Sequence, residues 1–195
     1  CFHQVPRVAF LEQLRGKGGV QRVAAAFEEE RAAEAAMRHG QRIGLVASRA
    51  TVASRRYEDL IRRRCPQADI VAAACPLWGT LVEEGWQKRR EAAWIVKHGV
   101  RAIKLHRVDT LILGSNTFIA LQPVIQRKVG PQVILVEASA RLASRVAEYL
   151  RVQAPPPPAE RSPQKVQLLV TDLTPHLVQA ARRFLGRHVT LERAD

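Results

Sequence analysis

Cysteine is scarce in this chain of 195 residues, which has only three, at Cys1, Cys65 and Cys75. The number is odd, and no two cysteines show the Cys-X-X-Cys spacing that is typical of a zinc site. A small extracellular domain stabilised by disulfides would use an even set of cysteines. We therefore expect reduced thiols, no disulfide framework and no metal site.

Long apolar runs are also absent. No stretch reaches the roughly 18 apolar residues that a membrane-spanning helix needs, and the chain does not open on the charged, apolar and small-residue pattern of a signal peptide. These absences predict a cytoplasmic protein with no membrane contact. The chain begins at Cys1 and has its only methionine at Met37, from which we expect a truncated or processed product.

Acidic residues are outnumbered, with 18 against 31 lysines and arginines, so the formal net charge is +13. Such a charge suits nucleic acid. However, the arginines are scattered through predicted helices, and no strand alternates basic and aromatic residues as RNA-binding sheets do. We expect a solvated, arginine-rich surface and no dedicated nucleic-acid interface. Binding of nucleic acid or an acidic partner is the lesser alternative.

Short aliphatic runs alternate with longer helical patterns along the chain, which is typical of parallel strands joined by crossover helices. Strands are predicted at residues 43–47, 70–73, 110–113, 133–136 and 167–170. Helices are predicted at residues 8–15, 27–39, 51–64, 80–105, 117–127, 138–152 and 174–185. Residues 154–163 are proline-rich and cannot continue a helix, so a surface connection is expected there. The fold class is α/β.

Hydroxyl side chains follow three predicted strands, at the points where helices should begin. They are Ser48 with Thr51, Ser115 with Thr117 on either side of Asn116, and Thr171, which the carboxylate residue Asp172 follows. Such side chains are the preferred caps of helix N-termini in any protein. The N–H groups exposed at the same place can also bind a carboxylate or a phosphate. The sequence leaves both interpretations open.

Longer strings then identify a family. In order and spacing, the chain resembles glutamate racemase of the aspartate/glutamate racemase superfamily over nearly its whole length. The matching strings are RIGLVASRATVASRRY (42–57), AACPLWGTLVEEG (73–85), DTLILGSNTF (109–118), VILVEASARLA (133–143) and TDLTPHLVQAARRFLG (171–186).

The resemblance implies two pseudo-symmetric domains with mostly parallel sheets flanked by helices, and an active-site cleft between them. Residues 42–137 would form the second domain. Residues 1–41 and 138–195 would form an incomplete first domain, with 154–163 as its proline-rich surface connection.

The implied chemistry is racemisation without a cofactor, in which one cysteine removes a proton from the Cα atom and another returns a proton to the opposite face. Ser115 stands where the family has its second catalytic cysteine, and Asn116 and Thr117 follow it in the substrate-binding string. Cys1 is the candidate for the first cysteine. A hydroxyl is a far weaker acid than a thiol, so we expect the activity of this chain to be impaired.

Other positions carry over from the same resemblance. Glu83 matches an acid/base helper, while Ser48 and Thr51 match hydroxyls that contact the substrate. Cys75 matches a structural cysteine and is read as a buried residue at a strand end, not as a nucleophile. Cys65 has no counterpart.

The leading interpretation is a glutamate racemase-like protein that interconverts L- and D-glutamate for peptidoglycan precursor synthesis. The family commonly forms homodimers, and the sequence leaves open whether this chain does so. The alternative is a non-catalytic dicarboxylate-binding or regulatory homologue. A different racemase or decarboxylase of the superfamily that uses one cysteine is a further possibility within the enzyme class.

Overall fold

A computed structural model describes residues 32–137, 168–170, 172–185 and 190–193 of the chain. Helical residues 32–37 (α1) come first. The elements that follow are β1 (Arg42–Ala47), α2 (Arg49–Ser54), α3 (Arg56–Arg64), β2 (Asp69–Ala74), α4 (Pro76–Glu83), α5 (Arg90–Gly99), α6 (Arg101–Leu105), β3 (Thr110–Leu113), a 3₁₀ helix (Asn116–Leu121), α7 (Gln122–Val129), β4 (Ile134–Glu137), β5 (Leu168–Val170), α8 (Pro175–Leu185) and β6 (Leu191–Arg193). The predicted α/β class is confirmed.

Strands β1 to β4 form one parallel sheet in the spatial order β2-β1-β3-β4. The chain places β2 on one side of β1 and then adds β3 and β4 on the other side. The direction of strand addition therefore reverses between β1 and β3. In open α/β sheets, ligands bind outside the carboxyl ends of the strands at such a reversal.

Both faces of this sheet are covered by helices. Val46 and Leu111 belong to one buried cluster, whereas Leu45 and Ile112 belong to another. Successive side chains of a strand point to opposite faces, so these neighbours lie on the two sides of the sheet. Tyr57 and Ile61 of α3 belong to the second cluster, so α3 packs on that face of the sheet.

Two long predicted helices are broken in the structure. The segment 51–64 forms α2 and α3, which meet at Arg55 with a left-handed φ of 54°. The start predicted for the helix at 80–105 is wrong, because the first helix of this region begins at Pro76. Proline is common in the first turn of a helix. That helix ends beside Gly85, whose φ is 73°, and glycine commonly supports such a helix end. Two further helices, α5 and α6, follow.

Smaller differences concern the later elements. A 3₁₀ helix precedes α7 where one helix was predicted at 117–127. Strand β6 was not predicted, because its three residues contain one apolar side chain and are largely exposed. The predicted helices at 8–15 and 138–152 and the connection at 154–163 lie outside the described residues. The helix predicted at 27–39 is described only from residue 32 onward.

Strands β5 and β6 form a second parallel sheet, with α8 between them in the chain. The division into domains stays a prediction. The alanines of α1 pack with the buried side chains of the first sheet, although the resemblance groups 1–41 with the other domain. Within the described ranges, no helix is both long and apolar enough to cross a membrane.

Candidate active site

The carboxyl ends of β1 and β3 lie side by side. Val46 pairs with Leu113, and the Gly114 amide donates to the Val46 carbonyl at 2.9 Å. A Cβ atom on Gly114 would stand 2.9 Å from the Ala47 Cβ, which is closer than real side chains come. Glycine therefore permits the close approach of the two strand ends. Ser48 and Ser115 follow Ala47 and Gly114 directly, so the register brings these two predicted site positions to the same edge.

Ser48 caps the short helix α2. Its Oγ accepts a hydrogen bond from the Thr51 amide at 3.2 Å and lies 3.0 Å from the Thr51 Oγ1. Both side chains are half-buried. The capping interpretation is therefore correct for this pair, but one hydroxyl hydrogen remains for a ligand, since two hydroxyls share a single bond. Helix α2 has only 6 residues, so the hydroxyls rather than the helix dipole are its useful donors.

Ser115 behaves differently, although it too precedes a helical turn. Its side chain makes no capping hydrogen bond. Instead its Oγ lies 2.9 Å from the Thr117 Oγ1, and both residues are half-buried, while Asn116 is exposed. The capping interpretation is thus wrong for Ser115. This second hydroxyl pair is arranged like the first, on the other side of the strand reversal.

The third predicted cluster, Thr171 with Asp172, does not supply the cap of the helix that follows it in the described residues. Thr171 lies outside the described residues, and Asp172 is exposed. The cap of α8 is Thr174, whose Oγ1 accepts from the Leu177 amide at 3.2 Å. Thr174 was not among the predicted site residues, although a threonine followed directly by Pro175 is a typical helix start.

Glu83 is the last residue of α4, whereas the helix predicted at 80–105 would have placed it in a first turn. Its side chain is exposed. Its main-chain carbonyl accepts a hydrogen bond from the Arg183 Nη2 at 2.8 Å. Sequence reasoning had no signal for Arg183, because the two residues lie 100 positions apart.

Helix α4 also supports the segment that follows Ser115. The rings of Trp78 and Phe118 lie 5.0 Å apart at an interplanar angle of 57°, and both side chains are buried. A tilted contact at this separation is a favourable aromatic geometry. Phe118 follows Thr117 directly, so this contact anchors the second hydroxyl pair to the core.

Cys75 follows β2 at the same edge, but its thiol faces the core. Burial raises the pKa of the Cys75 thiol to about 12, so this thiol stays protonated near neutral pH. The reading of Cys75 as a buried residue is confirmed. Cys65 is half-buried, and Cys1 lies outside the described residues. No group of three potential metal ligands occurs in the part of the chain that the structure describes.

The four hydroxyls offer hydrogen-bond donors to an anionic ligand and no group that ionises near neutral pH. They can hold a carboxylate. Removing a proton from carbon would require a stronger base from another part of the chain.

Comparisons with known proteins show which family this chain is similar to. Residues 25–143 match the model of the Asp/Glu/Hydantoin racemase family. A glutamate racemase from Syntrophus aciditrophicus is 33% identical over 145 residues, which are 74% of this chain and 53% of that protein. A glutamate racemase from Geobacter metallireducens is 31% identical over 78% of this chain and 56% of its own length. The chain thus spans about half the length of these curated relatives.

Solved structures agree on the fold. A Thermus thermophilus glutamate racemase in complex with β-chloro-D-alanine has a TM-score of 0.67 at 28% identity, over 87% of this chain and 61% of that one. A Bacillus anthracis glutamate racemase isoform has a TM-score of 0.74 at 22% identity, over 87% and 63% of the two chains.

Proposed function

The chain belongs to the Asp/Glu/Hydantoin racemase family, and from this premise we propose that it is a glutamate racemase-like protein whose substrate binds at the ends of β1 and β3. The observation that carries the proposal is the pair of hydroxyl couples, Ser48 with Thr51 and Ser115 with Thr117, on the two sides of the strand reversal. A carboxylate only accepts hydrogen bonds, so these hydroxyls suit a dicarboxylic amino acid.

The proposed reaction removes the proton from the Cα atom of glutamate on one face and returns a proton on the other face. No electrons are gained or lost, and no cofactor is required. We assign the two faces to Cys1 and Ser115, with Glu83 as an acid/base helper and Asn116 beside the substrate. Because a hydroxyl is a much weaker acid than a thiol, the Ser115 step should be slow.

Incubation of the purified chain with L-glutamate in deuterated water tests this reaction. The native chain should form D-glutamate and deuterate the Cα position slowly, and Ser115→Cys should be faster by about tenfold or more, as a well-matched general base contributes at least that much. Ser54→Cys places a thiol on the exposed end of α2 and should behave as the native chain does. Absence of exchange in all three proteins would exclude the reaction.

A second candidate is a dicarboxylate-binding or regulatory protein without turnover. The hydrogen bond between Ser115 and Thr117 favours this second candidate. Within the described residues, the only partner shown for the Ser115 hydroxyl is another hydroxyl, and neither of the two is a base near neutral pH. Calorimetric titration with glutamate separates the candidates when it is combined with the exchange measurement. Saturable binding without exchange would support the second candidate, and no binding of glutamate or a related dicarboxylate would exclude both.

The family also suggests the setting. We propose that the protein acts in the cytoplasm, supplies D-glutamate for peptidoglycan precursors and forms a homodimer. Sedimentation equilibrium of the purified chain tests the last point, and a mass that corresponds to one chain at all concentrations would contradict it.

A further inference from the structure

The C-terminal turn of α4 leaves one backbone carbonyl for a distant partner. The Gly85 amide donates to the Val82 carbonyl at 3.0 Å, and the Trp86 amide donates to the Leu81 carbonyl at 2.8 Å. This is the Schellman pattern of helix termination. Neither of these two bonds uses the carbonyl of Glu83. The last carbonyls of a helix have no partner within the helix, so the Glu83 carbonyl needs one from outside it.

Arg183 supplies that partner from α8, the helix between β5 and β6 in the chain. It lies on α8, and its Nη2 donates to the Glu83 carbonyl at 2.8 Å. A cation beside the C-terminal end of a helix also interacts favourably with the helix dipole. Gly85 makes room for it, since a Cβ atom there would stand 2.7 Å from the Arg183 Nη1. The same glycine supplies the positive φ of 73° that the turn requires.

We propose that Arg183 is a positioning residue, which holds the last turn of α4 and thereby the main chain that carries Glu83. The Glu83 side chain is exposed, so the packing of its own side chain does not fix it. Its place depends on the main chain of that turn. The part that Glu83 plays in the reaction rests on the proposed function, whereas the grip of Arg183 on the turn does not.

Amide hydrogen exchange, resolved by NMR, tests this grip at Gly85 and Trp86. Loss of the charged hydrogen bond in Arg183→Met should speed exchange at both amides by about fivefold or more, because local opening becomes easier. Arg183→Lys keeps the charge and should recover part of the protection. Arg182→Met is the matched control, since Arg182 is the exposed neighbour on α8 and makes no such contact within the described residues. Equal protection in native and Arg183→Met, or equal loss in Arg182→Met, would overturn the proposal.

Kinetics then distinguish positioning from a general effect on stability. Arg183→Met should lower kcat for Cα exchange of glutamate about threefold or more and change KM by less than about twofold, because Glu83 acts on the reaction rather than on binding. Arg183→Lys should restore part of kcat. A lower Tm with unchanged kcat would overturn the positioning role. If the native chain neither binds nor exchanges glutamate, the proposed function fails, and the amide measurement alone decides whether Arg183 holds the turn.

Discussion

The rings of Trp78 and Phe118 lie 5.0 Å apart and connect α4 to the segment that carries Ser115 and Thr117. The side chains of Trp78 and Phe118 are 1% and 2% exposed, so the contact lies in the core and not on the rim of the site. The second hydroxyl pair, Ser115 with Thr117, is therefore held in place by a buried aromatic contact.

Phe118→Ala removes this aromatic contact and leaves a cavity. We expect the free energy of unfolding to fall by about 3 to 5 kcal/mol, as measured by urea denaturation. Trp94→Ala is a control, because Trp94 is 64% exposed, and it should change stability by less than about 1 kcal/mol. Equal effects of the two substitutions would show that Phe118 is not held in the core.

The lack of a side chain is needed for close packing at Gly114 but not at Gly79. Gly114→Ala brings its new methyl group to 2.9 Å from both the Ala47 Cβ and the Leu45 Cδ1, and it should destabilise the fold by about 1 to 3 kcal/mol. Gly79 lies inside α4 with nothing within 4 Å of a new Cβ atom, so Gly79→Ala should stabilise by about 0.5 to 1 kcal/mol. Thermal unfolding of both variants measures the difference in sign. The same sign in both would contradict the close approach of β1 and β3.

Ser48 and Thr174 both cap helices, but only Ser48 lies at the candidate site. Ser48→Ala and Thr174→Ala should each lower the free energy of unfolding by about 0.5 to 2 kcal/mol, the usual effect of losing a cap. Only Ser48→Ala should also weaken the binding of glutamate in calorimetry. Equal affinities in the two variants would remove Ser48 from the site.

The Cys75 thiol should resist alkylation in the folded chain. Its pKa is about 12, whereas an unfolded thiol has a pKa of about 8.5. Because only the unfolded chain releases this proton between those values, the Cys75 contribution to stability is fully present below about pH 8.5 and is lost as pH rises toward 12. Mass spectrometry after treatment with iodoacetamide at pH 8 should find Cys75 unmodified until denaturant is added. Rapid modification in the folded state would contradict its burial.

Much of the fold could be predicted because the strands are buried. The aliphatic runs at 43–47 and 110–113 coincide with β1 and β3 to within one residue. The helix breaks at Arg55 and Gly85 could not be predicted from periodicity, because a left-handed φ does not change the spacing of apolar residues. Strand β6 has too little apolar pattern to be recognised.

The candidate site shows a similar limit. The sequence left both a helix cap and an anion site open for Ser48 and Thr51, and the structure shows the cap. The sequence could not bring Ser48 near Ser115, because adjacency depends on the pairing of β1 with β3 across the sheet. Nor could it show that Ser115 bonds to Thr117 instead of capping a helix, since both outcomes use the same residue types.

The proposed binding of glutamate at the carboxyl ends of β1 and β3 can be tested by locating the ligand on the protein. Backbone amide shifts can be followed by NMR while L-glutamate is titrated into the native chain. We expect saturable shifts at Thr51, Gly114 and Ser115, which lie at the carboxyl ends of β1 and β3. We expect none at Gln41 and Asp109, which lie at the opposite edge of the same sheet. Shifts confined to the opposite edge, or no shift at any glutamate concentration, would contradict the proposed binding.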